Sequence, residues 1–405
     1  MKNTVKLIPF FILVSAVGCG VVNREDNSSK NKNAMLALAG IAAGSKTAAV
    51  STLSLSESGQ SNAKLILNQP EDLTVMDGII YIADSKNNRI IKIESEKTVT
   101  AIATSAGNGS DVTVINNPEG ITAGDNGLLY VPNTGASTAT NGAFDGHNIF
   151  TINTKSSNQI KLLSGKDRPT LRETIDGAQG TNRFYKPEGI AYSASFKKLI
   201  AAEAGGNSIR EVNITDGSVT TVTGEKASGG SAPTGGTPIA TDGPASTARF
   251  SSPTGAAIDS KGNIFVADEG NNCIRKIDTS KNVSTFAGSN AGGDSAKGYA
   301  DGTGTAARFS GPYKIVIDSD DNLYVSDTGN YAIRKITPAG LVTTVAGGKG
   351  SGRDDGTASS AKFYKPTGLC IYGNTMYVTD KALARTSTTA DLNTDYSAVR
   401  KIVNF

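Results

Sequence analysis

Short hydrophobic stretches with alternating polar positions recur along most of the chain. Residues 262–268, Gly-Asn-Ile-Phe-Val-Ala-Asp, are typical, because β-branched and aromatic side chains follow one another with a period of two. This period and this residue content predict β-strands rather than helices. Tight polar turns, such as Ser-Lys-Gly-Asn at residues 260–263, separate the stretches and predict reversals of the chain between adjacent antiparallel strands.

The same series of stretches is repeated. Pro-Thr-Gly-Ala-Ala-Ile-Asp at 253–259 precedes the stretch at 262–268 and Ile-Arg-Lys-Ile at 274–277, and the same spacing recurs from Pro312. Each copy predicts four short strands, of which the fourth resembles Val-Thr-Thr-Val at 342–345. Variants of the series begin at four further prolines: Pro70, Pro118, Pro187 and Pro366.

Six copies of a four-stranded antiparallel sheet, with no helical segments to cover them, can bury both faces only by stacking on one another around an axis. The sequence therefore predicts an all-β fold, a six-bladed β-propeller over residues 49–405. The last copy ends at its third strand, whereas residues 50–55 resemble the missing fourth strand. We expect this N-terminal strand to complete the sixth blade and to remove its free edge.

In these motifs the chain resembles the NHL-repeat family, whose pattern is close to Pro-x-Gly-Ile-x-x-Asp followed by Gly-Asn-Ile-Tyr-Val-Ala-Asp. The resemblance covers about residues 67–405. Copy two departs from it with Pro132 and Asn133 in place of Ala-Asp, and copy three has Glu203 at the Asp position. Because propellers of this family commonly mediate contacts with proteins and other macromolecules, the resemblance implies a non-enzymatic binding module.

A second periodic element precedes the prolines. An Asp-Gly pair is followed at a constant distance by Phe, and the residue before each Phe is basic. We interpret the Asp-Gly as a turn and the Phe as a side chain buried between neighbouring blades. The basic residue is predicted to bond the Asp-Gly turn rather than a ligand. The basic residues are Arg183, Arg249, Arg308 and Lys362.

Composition removes several classes of function. The 405 residues include 46 glycines, one histidine and no tryptophan, so histidine-rich zinc sites are excluded. The 40 Lys and Arg residues nearly balance the 37 Asp and Glu residues, and no basic run is longer than a pair. Nucleic-acid-binding proteins usually carry a concentrated basic field. We therefore expect no nucleic-acid partner.

The N-terminus has the pattern of an export signal. Lys2 and Lys6 precede an apolar stretch, residues 7–17, that is too short to span a bilayer. Ala-Val-Gly-Cys at 16–19 resembles a bacterial lipobox, which implies a signal peptide at 1–18 and a lipidated Cys19 followed by a flexible tether at 19–48. An ordinary secretory signal is the alternative. Gly20 in place of Asp favours the outer membrane of a bacterial cell envelope.

Long connections predict where a ligand would bind. The connections between blades are long and glycine-rich, and two insertions, residues 134–148 and 381–398, lie between second and third strands. In a four-stranded blade both kinds of connection emerge on the same face, and such loops on a rigid scaffold commonly form binding surfaces. The residues after the repeat prolines should line the channel on that face: Glu71, Glu119, Glu188, Thr254, Tyr313 and Thr367.

Glu71, Glu119 and Glu188 come from three consecutive blades and predict an acidic half-ring. Converging carboxylates could bind calcium or serve acid-base chemistry, and a solvated polar rim without a ligand is the alternative. His147 lies in the first insertion beside Asp145. It could contact a ligand on the same face, or it could be an exposed loop residue with no role.

Two classes of function remain open. The first is a lipid-anchored, extracytoplasmic binding module, expected to be a monomer without a catalytic residue, that contacts a protein or another extracellular macromolecule through Glu71, Glu119, Glu188, Tyr313 and His147. The second is a metal-dependent hydrolase that resembles propeller lactonases and has its carboxylate site at the channel mouth. Calcium is the one cofactor that the pattern suggests, and a purely structural envelope protein is a third possibility.

Overall fold

The computed structural model describes residues 47–53, 56–57, 67–94, 98–104, 115–135, 147–165, 173–225, 240–289, 291, 293–381 and 397–405. These residues form six antiparallel sheets arranged as the blades of a propeller. The all-β, six-bladed fold predicted from the sequence is confirmed. Within the described part of the chain, no helical segment has the length and apolar character needed to cross a membrane. The proposed signal peptide at 1–18 and Cys19 lie outside the described residues.

Each blade has four main strands, which follow one another from the axis outwards. Blade 1 comprises Pro70–Met76, Ile79–Asp84, Arg89–Glu94 and Thr98–Thr104; blade 2 comprises Thr122–Ala123, Leu128–Asn133, Asn148–Asn153 and Gln159–Ser164; blade 3 comprises Pro187–Ser193, Lys198–Glu203, Ser208–Val212 and Val219–Gly224. Blade 4 comprises Pro253–Ile258, Ile264–Asp268, Cys273–Ile277 and Asn282–Ala287; blade 5 comprises Pro312–Ile317, Leu323–Asp327, Ala332–Ile336 and Leu341–Gly347; blade 6 comprises Pro366–Tyr372, Thr375–Asp380, Ala398–Val403 and Ala49–Thr52.

The innermost strand of blade 2 is the shortest. It is limited to Thr122–Ala123, with an isolated bridge from Pro118 to Asn133. This is the copy in which Pro132 replaces the alanine of the repeat. Proline has no backbone N–H to donate to the neighbouring strand, which accounts for the interrupted ladder.

The N-terminal strand closes the ring. Ala49–Thr52 pairs in antiparallel register with Ala398–Val403, so that Ala49 faces Val403 and Val50 faces Ile402. On its other side it pairs with the two-residue strand Gly356–Thr357. The predicted completion of the sixth blade is therefore confirmed, although the strand ends at Thr52 rather than continuing to residue 55.

Neighbouring blades bury their faces against each other. Phe309, for example, is fully buried in one cluster with Ala257 and Phe265 of blade 4 and with Ile315 and Val325 of blade 5. Such contacts remove both faces of each sheet from water, which is the main source of stability in this fold. The phenylalanines predicted to lie between blades are all buried: Phe184, Phe250, Phe309 and Phe363.

A fully buried arginine holds each Asp-Gly turn of blades 3 to 6. In blade 4, one guanidinium nitrogen of Arg275 donates to Asp268 at 3.1 Å and to the carbonyl oxygen of Arg249 at 2.8 Å. The other donates to Asp242 at 2.6 Å and to the carbonyl oxygen of Thr241 at 2.8 Å. The guanidinium also lies over the ring of Phe250. The equivalent residues are Arg210, Arg334 and Arg400.

The side chain of the residue before each phenylalanine does not bind the carboxylate of the Asp-Gly turn, which corrects the prediction, although Lys362 pairs with Asp354 directly before that turn in blade 6 at 2.8 Å. The Asp-Gly carboxylate is bound by the arginine of the third strand, whereas Arg308 donates to the carbonyl oxygens of Thr305 and Ala307, and Arg249 pairs with Glu225 at 3.0 Å. The third-strand arginine occupies the turn because it approaches from inside the blade, where a charged group must find a partner.

Replacing Arg275 with methionine tests this network. Arg275→Met leaves Asp268 buried without its cation, so we expect the free energy of unfolding to fall by about 3–5 kcal/mol, measured by urea denaturation. Arg249→Met is the matched control, because it removes an exposed ion pair and should cost less than about 1 kcal/mol. Equal losses in the two variants would contradict the assignment.

Candidate binding site at the mouth of the propeller

The two ends of the propeller differ in their connections. Innermost strands begin and second strands end on the same side, as the pairing of Pro253 with Asp268 shows. The connections between second and third strands leave on this side too, and include short turns such as Glu269–Asn271. We call this side the loop-bearing face. Its mouth is the ring of residues that follow the repeat prolines: Glu71, Glu119, Glu188, Thr254, Tyr313 and Thr367.

One residue below the mouth, the innermost strands approach each other closely. A Cβ atom added to Gly189 would lie 2.6 Å from the carbonyl oxygen of Thr254, and one added to Gly255 would lie 2.5 Å from that of Tyr313. Gly120 and Gly368 are constrained in the same way. Glycine is required at these four positions, because a side chain there would collide with the neighbouring innermost strand.

Two blades depart from glycine at this level, and their side chains form an ion pair near the axis. Lys314 of blade 5 and Asp72 of blade 1 are 4% and 6% exposed, and the ammonium nitrogen lies 3.7 Å from the carboxylate. The ammonium also donates to the carbonyl oxygens of Glu188 at 2.6 Å and Glu119 at 2.9 Å. Because these groups come from blades 1, 2, 3 and 5, the lysine closes the channel beneath the mouth.

Three groups hold Asp72 in place. Its carboxylate accepts from the backbone N–H groups of Leu73 at 2.9 Å and Ile121 at 3.2 Å, in addition to its ion pair with Lys314. Burial raises the pKa of Asp72 to about 6, although Lys314 opposes the shift. Asp72 is therefore mostly ionised at neutral pH and balances the charge of Lys314. This pair was not predicted from the sequence, although its signal was the Asp and the Lys at two glycine positions of the repeat.

Glu71 is paired within the protein. The Tyr313 hydroxyl donates to it at 2.9 Å, and the ammonium group of Lys381 forms an ion pair with it. Lys381 and Lys314 both lie over the Tyr313 ring, at 5.4 and 5.3 Å from its centroid. Burial and the Glu71 carboxylate raise the pKa of Tyr313 well above its usual value, so it remains a donor.

Glu119 is also held by protein donors, and the two threonines of the mouth join neighbouring strands. One carboxylate oxygen of Glu119 accepts from the side-chain amide of Asn117 and from the Thr134 hydroxyl, the latter at 3.1 Å. The Thr254 hydroxyl donates to the carbonyl oxygen of Tyr313 at 2.8 Å. The Thr367 hydroxyl donates to the carbonyl oxygen of Pro70 at 3.1 Å.

Glu188 differs from the other two carboxylates of the half-ring. Among the described residues, no side chain or backbone group donates to its carboxylate. Burial and then the Glu119 carboxylate raise its pKa to about 8, although Lys314 opposes the shift. Glu269 lies near the same mouth, and burial raises its pKa as well, against the effect of Lys365 and Lys381. Glu188 is therefore mostly protonated at neutral pH while the mouth is free.

The half-ring does not have the arrangement of a metal site. In the described part of the chain, no group of three or more His, Cys, Asp or Glu residues converges to hold an ion. Glu71 is paired with Lys381, and the Lys314 ammonium already lies on the axis beneath the mouth. The three predicted glutamates are thus on one face, as expected, but the protein cations among them were not predicted from the sequence.

His147 lies at the start of the third strand of blade 2, at the end of the insertion. Its ring packs edge-on against Tyr185 at a centroid distance of 5.6 Å. Tyr185 precedes the innermost strand of blade 3, so His147 lies on the loop-bearing face as predicted. Asp145 lies outside the described residues.

Replacing Lys314 with methionine should lower the free energy of unfolding, because the buried Asp72 carboxylate loses its cation. In Lys314→Met the pKa of Asp72 rises further, so we expect a loss of about 3 kcal/mol at pH 8, where Asp72 must be ionised without a cation. The loss should shrink at pH 5, where Asp72 is protonated, because a raised folded-state pKa removes stability as pH increases. Urea denaturation at both pH values measures the difference.

Two further variants control this experiment. Adding Asp72→Asn to Lys314→Met should recover part of the loss at pH 8 and flatten the pH dependence. Lys261→Met, in an exposed turn on the opposite face, should change stability by no more than about 0.5 kcal/mol. A loss in Lys314→Met that is the same at pH 5 and pH 8 would rule out the role assigned to Asp72.

Comparison of sequences identifies the repeat. Residues 67–93 and 250–277 match the NHL repeat. The chain is 27% identical over 292 residues to NHL repeat-containing protein 2 of Bos taurus, a match that covers 66% of this chain and 38% of that protein. It is 27% identical over 212 residues to the chloroplastic protein SUPPRESSOR OF QUENCHING 1 of Arabidopsis thaliana, covering 49% of this chain and 19% of that protein. The chain thus spans well under half the length of these relatives.

Solved structures share the fold at low sequence identity. A protein of unknown function from Bacteroides thetaiotaomicron superposes with a TM-score of 0.60 at 16% identity, covering 88% of this chain and 76% of that one. An auxiliary nutrient binding protein from Bacteroides ovatus gives 0.57 at 18% identity with the same coverage. A luciferin-regenerating enzyme gives 0.50 at 13% identity, covering 84% of this chain and 92% of that one. The chain is thus a six-bladed β-propeller that carries NHL repeats.

Proposed function

We propose that this propeller is a non-enzymatic binding module that contacts a protein or another extracellular macromolecule through its loop-bearing face. The observation that carries the proposal is the composition of the mouth. Glu71, Glu119, Glu188 and Tyr313 meet there with Lys381, on the face that also receives the long connections. Charged side chains concentrated on a rigid ring, with loops around them, provide both orientation and specificity for a ligand.

The closed channel supports binding at the rim rather than passage through the ring. Lys314 fills the axis one residue below the mouth, so a ligand contacts the mouth and the surrounding loops. The similarity to an auxiliary nutrient binding protein is in keeping with a binding role. His147, on the same face, is proposed as a peripheral contact.

We further propose that the module is anchored in a bacterial cell envelope as a monomer. Cys19 would carry the lipid, and residues 19–48 would link it to the propeller. The lipobox-like sequence at 16–19 favours a triacylated Cys19. A triacylated cysteine would hold the protein on the membrane, because stable anchoring needs more than one acyl chain. The absence of Asp at position 20 favours the outer membrane.

A metal-dependent hydrolase with its site at the same mouth is the alternative. Glu188 has the raised pKa that a general acid requires, and a luciferin-regenerating enzyme shares the fold. The described residues do not bring together a group of ligands for a metal, however, and Lys314 occupies the axis. The binding role therefore accounts for more of the observed contacts.

Photo-crosslinking in cells tests the binding face. A photoreactive amino acid at Asn68, exposed beside the mouth, should give a crosslinked product of defined mass. The same amino acid at Asp320, exposed in a turn on the opposite face, is the matched control and should give none. Crosslinking from Asp320 alone would place the interaction on the wrong face and contradict the proposal.

Metabolic labelling with an alkyne fatty acid tests the anchor. We expect the wild-type protein to be labelled and recovered with membranes, and Cys19→Ser to lose both the label and the membrane association. Cys273→Ser changes a buried free thiol and should keep the label. Labelling that persists in Cys19→Ser would refute lipidation at this residue.

A further inference from the structure

The Glu188 carboxylate lacks the donors that its neighbours have. Glu71 is bound by Lys381 and Tyr313, and one oxygen of Glu119 is bound by Asn117 and Thr134. In the described residues nothing donates to the Glu188 carboxylate, and the residue is half-buried. The second oxygen of Glu119 accepts no bond from the described residues either. Three carboxylate oxygens on adjacent blades are therefore available at one side of the mouth.

The axis beside these oxygens already binds a primary ammonium group. Lys314 donates to the backbone carbonyl oxygens of the same two residues, Glu119 and Glu188. The innermost strands thus turn oxygen atoms towards the axis, at distances of 2.9 and 2.6 Å that suit a charged N–H donor. This contact is independent of the carboxylates and shows which kind of group the geometry accommodates.

The charge of the mouth also favours a cation. Glu71, Asp72, Glu119, Glu188 and Glu269 supply five carboxyl groups, against the three ammonium groups of Lys314, Lys365 and Lys381. Lys314 balances Asp72 and Lys381 balances Glu71. Glu119 and Glu188 are left without a cation of their own, and a negative field confined in a partly buried ring attracts positive ligands.

We propose that the mouth binds one primary ammonium group, a lysine side chain of a protein partner, between the carboxylates of Glu188 and Glu119. A lysine ammonium is a compact charge with three donors on a long stem, which matches the three available carboxylate oxygen atoms of Glu188 and Glu119. Guanidinium is planar and donates in pairs, so arginine suits the site less well. This inference rests on the proposed role of the loop-bearing face in binding.

Binding of the ammonium group should release a proton from Glu188. Its carboxyl group faces Glu119, Glu71, Glu269 and Lys314, and it is mostly protonated below pH 8. The lysine must therefore displace that proton, and between pH 7 and pH 9 the affinity should rise by about tenfold. The lysine of the ligand remains charged in this range.

Titration calorimetry with a defined peptide tests the proposal. The probe is an N-acetylated, C-amidated octapeptide of alternating lysine and glycine, added to the full-length protein at pH 7 and pH 9 and at low salt. We expect binding that strengthens with pH, a loss of at least tenfold in Glu188→Gln, and no binding of the same peptide with acetylated lysines. Glu211→Gln removes a half-buried carboxylate on the third strand of the same blade and should bind as the wild type does.

The melting temperature of Glu188→Gln, measured alongside, distinguishes a loss of binding from a loss of folding. Ionisation of Glu188 in its raised-pKa environment costs stability as pH rises from about 5 to 8, so the glutamine variant should melt at or above the wild-type temperature at pH 8. No binding of the lysine peptide by the wild-type protein, equal affinity in Glu188→Gln, or affinity independent of pH would each overturn the proposal.

Two competitors separate other cations from lysine. An arginine-glycine peptide that binds as tightly as the lysine peptide, or calcium that displaces the lysine peptide at micromolar concentration, would overturn the assignment to a primary ammonium group. Crosslinking from Asn68 in the Glu188→Gln background distinguishes this failure from that of the binding role. Suppose that the Asn68 crosslink persists in Glu188→Gln and that this variant binds the lysine peptide as tightly as the wild type. The loop-bearing face would then remain a binding surface, but the ammonium site would be rejected.

Discussion

A guanidinium group buried beneath the outer edge of a blade joins three segments that are distant in the sequence. In blade 4, Arg275 binds the end of the second strand at Asp268, the Asp-Gly turn at Asp242 and the backbone just before Phe250. The segment that enters the blade is thereby fixed against the outer strand, and its phenylalanine is directed between two blades. Because a buried charge tolerates few geometries, this contact sets the position of one blade against the next.

The same network explains which parts of the fold were predictable. Repeated local patterns predict the strand positions, the number of blades and the N-terminal closure, because strands that are clear in one copy indicate the equivalent strands in the others. Asp242 binds Arg275 and not Arg249 because the Arg275 side chain faces the interior of the blade. The alternation of side chains along the strands did not by itself predict which arginine would be the partner. Blades 1 and 2 have Ile91 and Phe150 at the position of this arginine, so the network does not extend to them.

The mouth was predictable in position but not in chemistry. Glu71, Glu119 and Glu188 occupy equivalent repeat positions, and equivalence places them on one face. Lys314 and Asp72 were overlooked because each differs from the glycine of the repeat in only one copy, and their partnership exists only once the ring has closed and blades 5 and 1 lie on either side of blade 6. In a closed ring, two irregular copies that are distant in the sequence can thus meet in space.

The ring closure has a directional consequence for the whole molecule. Ala49 pairs with Val403, at the end of the third strand of blade 6, whereas the third strand begins on the loop-bearing face. The polypeptide therefore reaches the propeller from its back, at the outer rim. An attachment immediately upstream of residue 47 would therefore meet the propeller on the side away from the mouth, which would leave the loop-bearing face open to a ligand.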